Sequence, residues 1–334
     1  MVSGTSDRCV PDTSYLSSPG FLALVMHILS AIEIPIHLFG AWIILFQTPS
    51  TMSSVKWPML NLHFWSSFLD VSISLLTTPF VLFPACAGFP LGVLGVLGIS
   101  PALQTHLVMT TIGMVLISFL TVFVNRFYIL SSFGSSKTRK LILLWYLGGS
   151  YLIAMTFMIP FTMMIPDQNE ALKTVFEVRL PCLPADIYQS PVFVYTLDFR
   201  PVFITLVALG SIGLSAILLF ILLTIRALMQ QTRNSSKSQR TLRLQKRFLS
   251  GLVVQISVPI VVVFCPVGYL ALAIPQAYFS QAFNNLTFIV ISLHGLLSTV
   301  AMLLIYRHYR IAVFRILFPS LLKERSPEVV TVNL

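Results

Sequence analysis

The chain has 334 residues, of which 56% are hydrophobic and only 10% are charged, and its formal net charge is +10 at pH 7. Soluble domains carry roughly 25% charged residues, so this composition excludes a water-soluble globular protein. The apolar residues also come in runs that are long enough to cross a membrane.

Seven apolar runs follow one another along the chain. Each exceeds the roughly 20 residues that a helix needs to span the hydrocarbon core, and the alternation typical of a membrane β-barrel strand is absent. The sequence therefore predicts an all-α membrane protein, a bundle of seven transmembrane helices. The predicted spans are about residues 21–46, 58–84, 101–129, 141–165, 201–229, 248–274 and 283–305.

Basic residues lie mainly on one side of these spans. Most of the 21 lysines and arginines fall in the loops after the first, third and fifth spans and after the seventh, whereas most acids fall in the other loops. Basic residues favour the cytoplasmic side, so we expect an extracellular tail at 1–20, a membrane domain at 21–306 and a cytoplasmic segment at 307–334. This topology in the plasma membrane explains the positive charge, and the expected partner is the lipid bilayer and not a nucleic acid.

A short amphipathic helix is predicted after the seventh span, in the stretch YRHYRIAVFRILFPSLLK. Ile311, Phe314 and Phe318 fall on one helical face, and Arg310 and Arg315 lie off it. Helices of this kind lie in the plane of the membrane with the apolar face in the lipid. We expect this one on the inner leaflet.

The four cysteines divide between the membrane and the outer side. Cys265 lies within the sixth span, where a thiol packs as a small hydrophobe. Cys9, Cys86 and Cys182 lie on the outer side, where disulfides persist. Three cysteines allow one disulfide with one thiol left over, and the residues alone do not choose the pair.

Two stretches match the N-x-S/T glycosylation motif. Asn234 falls on the inner side, and Asn285 falls close to the membrane at the beginning of the seventh span. Neither is therefore expected to carry a glycan.

Ionisable residues inside the predicted spans are costly in lipid, and each one marks a candidate site. Glu33 and His37 lie four residues apart on one helical face, His63 and Asp70 lie seven apart on another, and His294 lies in the seventh span. Two interpretations stay open. Pairs of acids and histidines hold helices together in lipid, or Asp70 binds an ion or a proton in one state of the protein.

The sequence contains no constellation of catalytic residues. Metal-ligand spacing, a G-x-S-x-G motif and a phosphate-binding glycine loop are all absent. We therefore expect no enzymatic activity, no cofactor and no bound metal.

Six segments, in this order, carry a resemblance to a known family. They are IEIPIHLFGAWIILFQTP (32–49), SVKWPMLNLHFWSSFLD (54–70), LLTTPFVLFPACAGFPLG (75–92), NRFYIL (125–130), LPCLP (180–184) and SLHGLLSTVAMLLIYRHYR (292–310). Through them, and over nearly its whole length, the chain resembles the nematode serpentine receptor class H chemoreceptors. The resemblance implies a G-protein-coupled receptor of sensory neurons, often displayed on cilia. Such a receptor senses a small environmental molecule and signals through a heterotrimeric G protein.

The third span closes on Asn125, Arg126, Phe127 and Tyr128. In the family, an Asn-Arg-aromatic element stands where rhodopsin-like receptors carry Asp-Arg-Tyr, so the resemblance implies that these four residues couple to the G protein. Val124 stands where members of the family often have an acid. The alternative role for the arginine is that of an anchor whose charge reaches water at the inner surface.

The resemblance also implies a disulfide between Cys9 and Cys182. The family pairs an amino-terminal cysteine with the loop that contains PCLP, and Cys86 is the alternative partner. A bridge to Cys9 would fold the tail over the mouth of the ligand pocket.

A ligand is expected to enter from outside and to bind between the outer thirds of the helices. Binding would then shift the helices toward a state that opens the inner side. The expected lining residues are Gln104, His106, Tyr269 and Gln276.

A second function from another class is a secondary transporter or a proton-coupled carrier. Such a protein would use Glu33, Asp70 and His294, because ionisable residues within the membrane also mark transport pathways. An odd number of spans and the absence of an inverted repeat, which many carriers have, argue against this alternative.

Overall fold

The computed structural model describes residues 11–131, 137–233, 239–274 and 276–317. The predictions for Cys9, Asn234, Phe318 and the two ends of the chain lie outside these ranges. Within them the chain forms a bundle of long helices, with a small sheet and several short helices near one end. The helices are α1 (Pro19–Gln47), α2 (Ser53–Val71), α3 (Val93–Val96), α4 (Pro101–Leu130), α5 (Lys137–Thr156), α6 (Ile159–Met163), α7 (Gln168–Lys173), α8 (Ala185–Tyr188), α9 (Arg200–Arg233), α10 (Gln239–Ala273), α11 (Gln281–Ser292), α12 (His294–Ile305) and α13 (Arg307–Leu317).

Six helical stretches among the described residues are long and apolar enough to cross a membrane. They are Pro19–Gln47, Pro101–Leu130, Lys140–Met163, Arg200–Gln231, Leu249–Ala273 and Gln281–Ile305, and each overlaps one predicted span. The remaining predicted span overlaps α2, which has only 19 residues and is more polar because it carries Lys56, Asn61, His63 and Asp70. Helix α4 packs against α2, α5 and α9 and thus lies at the centre of the bundle.

Two of the long helices begin with the same local sequence, Ser-Pro. The side chain of Ser18 accepts a hydrogen bond from the N–H of Phe21 at 3.1 Å, and Pro19 takes the first position of α1. Ser100 and Pro101 have the same roles at the beginning of α4. Serine satisfies a free N–H of the first turn, and proline suits the first position because it has no N–H to satisfy. These dipeptides therefore fix where α1 and α4 begin.

The prediction that the second span continues to residue 84 is wrong. Helix α2 ends at Val71 and continues as a π-helix only from Ser72 to Thr77. Thr78 then adopts a left-handed conformation, with φ of 37°, just before Pro79. The residue that precedes a proline is disfavoured in the right-handed helical region, and the left-handed backbone at Thr78 ends the helix here.

The segment that follows forms a three-stranded antiparallel sheet instead. Strand β1 (Pro79–Val81) pairs with β2 (Ala87–Pro90), which also pairs with β3 (Phe193–Val194). Phe80 lies opposite Phe89, and their ring centroids are 5.1 Å apart. The sheet thus joins the segment after α2 to the loop before α9.

Side-chain amides in α11 fasten this sheet and the amino-terminal segment to the bundle. Gln281 and Asn284 donate to the backbone carbonyls of Val81 and Phe83 at 3.2 and 3.0 Å. Asn285 donates to the carbonyl of Leu16 at 2.8 Å and is 1% exposed. Its amide nitrogen is therefore engaged and buried, which agrees with the expectation that Asn285 carries no glycan.

The seventh predicted span consists of two helices and not one. Helices α11 and α12 meet at Leu293, which belongs to neither. The run of residues 283–305 contains no proline or charged residue that would announce a break. The break coincides with a contact between the beginning of α12 and Asp70 of α2.

The short helix predicted after the seventh span is present as α13. Tyr309 is fully buried, and its hydroxyl lies 2.8 Å from the hydroxyl of Thr48 at the end of α1. Ile311 and Phe314, on the predicted apolar face, are exposed. The position of this helix on the inner leaflet stays a prediction.

Candidate functional site

The candidate site is a buried polar cluster centred on Asp70, near the end of α2. Asp70 is 0% exposed, and its carboxylate accepts hydrogen bonds from the backbone N–H groups of Gly295 at 3.1 Å and Leu296 at 2.7 Å. These N–H groups belong to the first turn of α12. Free N–H groups at the start of a helix need acceptors, and the positive end of the helix dipole favours a negative charge there. Asp70 therefore caps α12 from another helix, which accounts for the break in the seventh span.

A glycine allows the carboxylate to approach the backbone so closely. A Cβ atom added at Gly295 would lie 2.6 Å from Oδ2 of Asp70 and 2.7 Å from the carbonyl oxygen of Ser66. Any larger residue would therefore push α12 away from α2.

Two histidines contact the same carboxylate. Nδ1 of His294 lies 2.7 Å from Oδ1 of Asp70 and 3.0 Å from the carbonyl oxygen of Ile291. Both neighbours are acceptors, so Nδ1 carries the proton. Nε2 of His37 lies 3.4 Å from Oδ2, an ion-pair distance. Asp70 thus joins α1, α2 and α12 through its contacts with two histidines as well as through hydrogen bonds to the backbone.

A third histidine, His63, belongs to the same cluster, and Thr299 lies between it and His37, 3.5 Å from Nδ1 of His63. The hydroxyl of Thr299 donates to the carbonyl of Gly295 at 2.8 Å, so its oxygen accepts from Nδ1 of His37 at 3.2 Å. Nε2 of His63 donates to the carbonyl of His37 at 2.8 Å. The three histidines therefore belong to one network between α1, α2 and α12.

Glu33 completes the cluster on the side of the π-helix. It is 0% exposed, and its Oε2 accepts a hydrogen bond from the hydroxyl of Ser74 at 3.0 Å. Its carboxyl group is within electrostatic reach of Asp70 and His294. Among the residues that the structure describes, its Oε1 has no hydrogen-bond partner.

The structure thus brings together all five intramembrane residues that the sequence singles out, but in different pairs. The sequence groups Glu33 with His37 and His63 with Asp70, whereas the short contacts join Asp70 to His294 and His37. Across the described ranges, no group of three or more His, Cys, Asp or Glu side chains is arranged to hold a metal ion. The cluster can bind protons, and its contacts can stabilise one arrangement of α1, α2 and α12.

A cavity of about 150 Å³ lies next to the sheet. It is named the outer cavity because the sequence predicts that this end of the bundle faces outside. Its wall includes β1 and β2, the first half of α4, the beginning of α9, and Phe288 on α11. Of the four lining residues expected from the sequence, Gln104 lies in this wall. His106, Tyr269 and Gln276 do not line it; the hydroxyl of Tyr269 donates to Asn284 at 3.1 Å, and Gln276 is exposed.

The two outer cysteines within the described ranges differ in state. Cys182 is disulfide-bonded, whereas Cys86 is a free, buried thiol in the wall of the cavity. The alternative pair Cys86–Cys182 is therefore not formed. Burial raises the pKa of the Cys86 thiol to about 12, so this thiol stays protonated at neutral pH. The pairing of Cys182 with Cys9 lies outside the described residues and stays a prediction.

At the end of α4 that is predicted to face the cytoplasm, the predicted coupling residues contact neighbouring helices. Arg126 is only 8% exposed and lies within electrostatic reach of Tyr306, which closes α12. Asn125 donates to the carbonyl of Ser54 at 3.0 Å, at the beginning of α2. The ring of Phe127 packs edge-on against that of Phe220 on α9, with 5.8 Å between the centroids.

Comparison with known proteins decides which family this arrangement belongs to. A family model described as serpentine type 7TM GPCR chemoreceptor Srh matches residues 17–319. The chain belongs to the Srh family. It is also similar to serpentine receptor class H-72 of Caenorhabditis elegans, with 26% identity over 323 residues, which cover 94% of this chain and 90% of that relative. The resemblance found in the sequence is thereby confirmed.

Several residues of the Srh site carried no signal in the sequence. Gly295, Leu296 and Thr299 act largely through backbone groups or a single hydroxyl, and such groups look ordinary in an apolar run. Ser74 sits in a π-helix, and π-helical turns occur frequently at functional sites. The one available hint was the glycine directly after His294, which permits a close approach to the backbone.

Proposed function

We propose that this Srh chain is a G-protein-coupled chemosensory receptor that binds a small environmental molecule in the outer cavity. Binding shifts the equilibrium between helix arrangements, and the inner ends of the helices then act on a heterotrimeric G protein. The observation that carries the proposal is the joint at which Asp70 of α2 caps α12 in the middle of the seventh span.

The joint lies between the cavity and the inner end of the bundle. Thr77, which follows α2 along the chain, and Phe288 on α11 both line the cavity. Asp70 lies seven residues before Thr77, and His294 lies six residues after Phe288, so each is within about two helical turns of a residue in the cavity wall. A ligand that changes the distance between Thr77 and Phe288 would therefore bear directly on the contact between Asp70 and α12.

From the joint, α12 leads to the predicted coupling residues. It ends at Tyr306, whose hydroxyl donates to Oε1 of Gln255 on α10 at 3.2 Å, and Tyr306 lies within electrostatic reach of Arg126. A movement of α12 would change the surroundings of Arg126 without any contact between this residue and the ligand. Elements with two discrete arrangements transmit such changes over long distances.

The proposal also covers the orientation of the chain. The receptor lies in the plasma membrane, in a sensory cell on its cilium, with the amino terminus outside and α13 on the inner leaflet. The distribution of basic residues supports this orientation, and the exposed Ile311 and Phe314 supply apolar contact for the lipid. A disulfide between Cys9 and Cys182 would hold the tail across the mouth of the cavity.

The test is a screen of small molecules on cells that carry a second-messenger reporter, with surface labelling of the receptor in the same cells. A hit should raise the signal in wild type and lose its effect in Asp70→Asn. The matched control is Asp167→Asn, which changes an exposed cap of the short helix α7. Substrate flux in proteoliposomes without nucleotide exchange on a G protein would contradict the proposal and favour the transporter.

A further inference from the structure

Aromatic rings form a substantial part of the wall of the outer cavity. Three pairs of rings lie against one another within it: Phe80 with Phe89 at 5.1 Å, Phe83 with Phe199 at 6.2 Å, and Phe83 with Phe288 at 6.5 Å between centroids. Ring faces and edges attract other unsaturated groups by about 0.5–1.5 kcal/mol beyond the apolar area that they bury. The phenylalanines of the wall are Phe80, Phe83, Phe89, Phe193, Phe199 and Phe288.

No charged side chain lines this wall among the residues that the structure describes. Arg179 lies close enough to the wall to interact electrostatically with the Cys86 thiol. The guanidinium of Arg179 donates to the carbonyl of Leu197 and is not part of the lining. A charged ligand would lose its hydration here without gaining a partner of opposite charge, and that loss is costly. The wall therefore selects an uncharged molecule.

The threonine hydroxyls of the wall have no hydrogen left to donate. Each hydroxyl carries a single hydrogen, and each of these threonines directs it to a backbone carbonyl. The bonds run from Thr77 to Ser72 at 2.7 Å, from Thr105 to Pro101 at 2.9 Å, and from Thr196 to Asp198 at 2.9 Å.

The hydroxyl of Tyr195 is committed in the same way. It lies 3.3 Å from the hydroxyl of Thr162, which itself donates to the carbonyl of Met158 at 3.0 Å. Thr162 has only one hydrogen, so Tyr195 must be the donor in the contact between the two. The hydroxyl donors of the wall are therefore engaged by the protein.

Gln104, in contrast to these hydroxyls, provides a hydrogen-bond acceptor that is not yet used. The residue is 3% exposed, and its Nε2 donates to the carbonyl of Ile99 at 2.8 Å. This bond fixes which end of the amide is the oxygen. Within the described part of the chain, Oε1 has no partner. A buried acceptor without a donor costs about 1–3 kcal/mol, so a ligand that supplies a donor gains more than one that does not.

The volume limits the size of the ligand. An apolar protein cavity of about 150 Å³ accommodates benzene, and the outer cavity has about the same volume. From size, charge and hydrogen bonding together, we propose that the outer cavity takes a small, uncharged, aromatic or unsaturated molecule that donates one hydrogen bond to Oε1 of Gln104. This inference rests on the proposed function, because it names the ligand class of the same cavity.

The experiment measures direct binding without a G protein, by saturation-transfer NMR titration of the full chain in lipid nanodiscs, with empty nanodiscs as background. The probes share one ring and differ in one group: benzyl alcohol, benzyl methyl ether, benzylammonium and benzoate. Val108→Phe fills the cavity, since Val108 is a buried residue of its wall. Val207→Phe is the matched control, because Val207 lies half-exposed on α9 and does not line the cavity.

Benzyl alcohol should bind, and Val108→Phe should weaken this binding about tenfold or more because the added ring occupies the site. Val207→Phe should leave the binding of benzyl alcohol unchanged. Benzylammonium and benzoate should bind at least about tenfold more weakly than benzyl alcohol. The methyl ether should bind about fivefold more weakly than the alcohol, the ratio expected for one neutral hydrogen bond, and Gln104→Leu should abolish this ratio.

Three results would overturn the inference. Binding of every probe that is insensitive to Val108→Phe would exclude the cavity as the site. A charged probe that binds as tightly as the alcohol, with the same sensitivity to Val108→Phe, would exclude selection of uncharged molecules. Equal binding of the ether and the alcohol would exclude Gln104 as the acceptor. Probe binding of the expected kind without a second-messenger response would support this inference and contradict only the proposed signalling role.

Discussion

Oδ2 of Asp70 accepts a hydrogen bond from the backbone N–H of Leu296 at 2.7 Å, so a side chain of α2 caps α12, the second half of the seventh predicted span. The two residues are 226 positions apart in the sequence. The same carboxylate lies 2.7 Å from Nδ1 of His294. Helix capping and the contact with a histidine thus meet on one buried group.

Asp70→Asn should destabilise the protein although asparagine is as good a cap as aspartate. Asp70 accepts from Gly295 with one oxygen and from Leu296 with the other. Asparagine keeps only one of these oxygens, so its NH2 group would face one N–H of α12, and it has no charge for His294 and His37. Hydrogen bonds to charged groups contribute about 1.5–3 kcal/mol each, and loss of one partner of a buried pair is strongly destabilising. The midpoint of thermal unfolding of the purified protein should therefore fall by at least about 4 °C.

Asp167→Asn is the matched control for this substitution. Asp167 caps α7 by accepting from the N–H groups of Asn169 and Glu170 at 3.0 and 3.2 Å, and both contacts are exposed. With no histidine to pair, the same change should leave the unfolding midpoint unchanged. Both bonds of Asp167 end on one oxygen, which asparagine can keep. If Asp70→Asn were equally harmless, neither the contacts with the histidines nor the second bond to α12 would stabilise the protein.

Gly295→Ala should also destabilise the protein, because the new methyl group would meet Asp70 and the carbonyl of Ser66 at less than 3 Å. Overpacking of this kind costs about 1–3 kcal/mol, which thermal unfolding detects. Gly210→Ala on α9 is the control, since nothing lies within 4 Å of a Cβ at that position. Alanine is favoured over glycine within a helix by about 1 kcal/mol, so this variant should be as stable as wild type or more stable. Equal behaviour of both variants would contradict the close contact.

The sequence predicts the helices of this fold well and their partnerships poorly. Long apolar runs are a local property, so six of the predicted spans coincide with helices that could cross a membrane. Asp70 and His294 stand out for an equally local reason, since charge is rare in such runs. Asp70 contacts Gly295, the neighbour of His294, across 225 positions of the sequence. No pattern within either segment predicts this contact.

The two errors in the spans have the same origin. Residues 78–84 are as apolar as the helix before them, yet Thr78 turns the chain and the residues beyond it pair with β2. The break at Leu293 depends on an acceptor that α2 supplies. In both places, a tertiary contact overrides a hydropathy that would equally suit a continuous helix.

The disulfide prediction concerns Cys182, which should be joined to Cys9. Peptide mapping under non-reducing conditions should yield one peptide that contains both. Cys86 should resist iodoacetamide at pH 8 in the folded protein, because the raised pKa of about 12 leaves almost no thiolate. Its alkylation should increase as the pH rises toward 12 and should be complete after unfolding. A peptide that joins Cys86 to Cys182 would show the prediction to be wrong.

The orientation is tested by epitope tags at the two ends of the chain. A tag placed before Cys9 should bind antibody on intact cells, whereas a tag after Leu334 should require permeabilisation. The reason is the excess of lysine and arginine in the loops that are predicted to lie inside. The opposite pattern of labelling would be incompatible with a G-protein-coupled receptor.

The last prediction concerns Arg126, at the inner end of α4. If it only anchors the helix, Arg126→Lys should function, since either cation satisfies the preference for basic residues inside. If it binds carbonyl oxygens of a G-protein helix, lysine should fail, because one ammonium cannot replace a planar fork of five donors. Loss of one or two charge-assisted hydrogen bonds, at about 1.5–3 kcal/mol each, would reduce coupling at least about tenfold.

We expect Arg126→Lys and Arg126→Ala to reach the cell surface and to lose the ligand-evoked response, measured by surface labelling and a second-messenger reporter in the same cells. Normal surface levels are expected because Lys137 and Lys140 keep the inner loop basic. Arg200→Lys, an exposed arginine at the other end of the bundle, is the control and should signal normally. Full signalling by Arg126→Lys would show that this arginine acts only as an anchor. The basic segment 226–247 would then be the better candidate for the coupling surface, because it carries more lysines and arginines than any other segment on the predicted inner side.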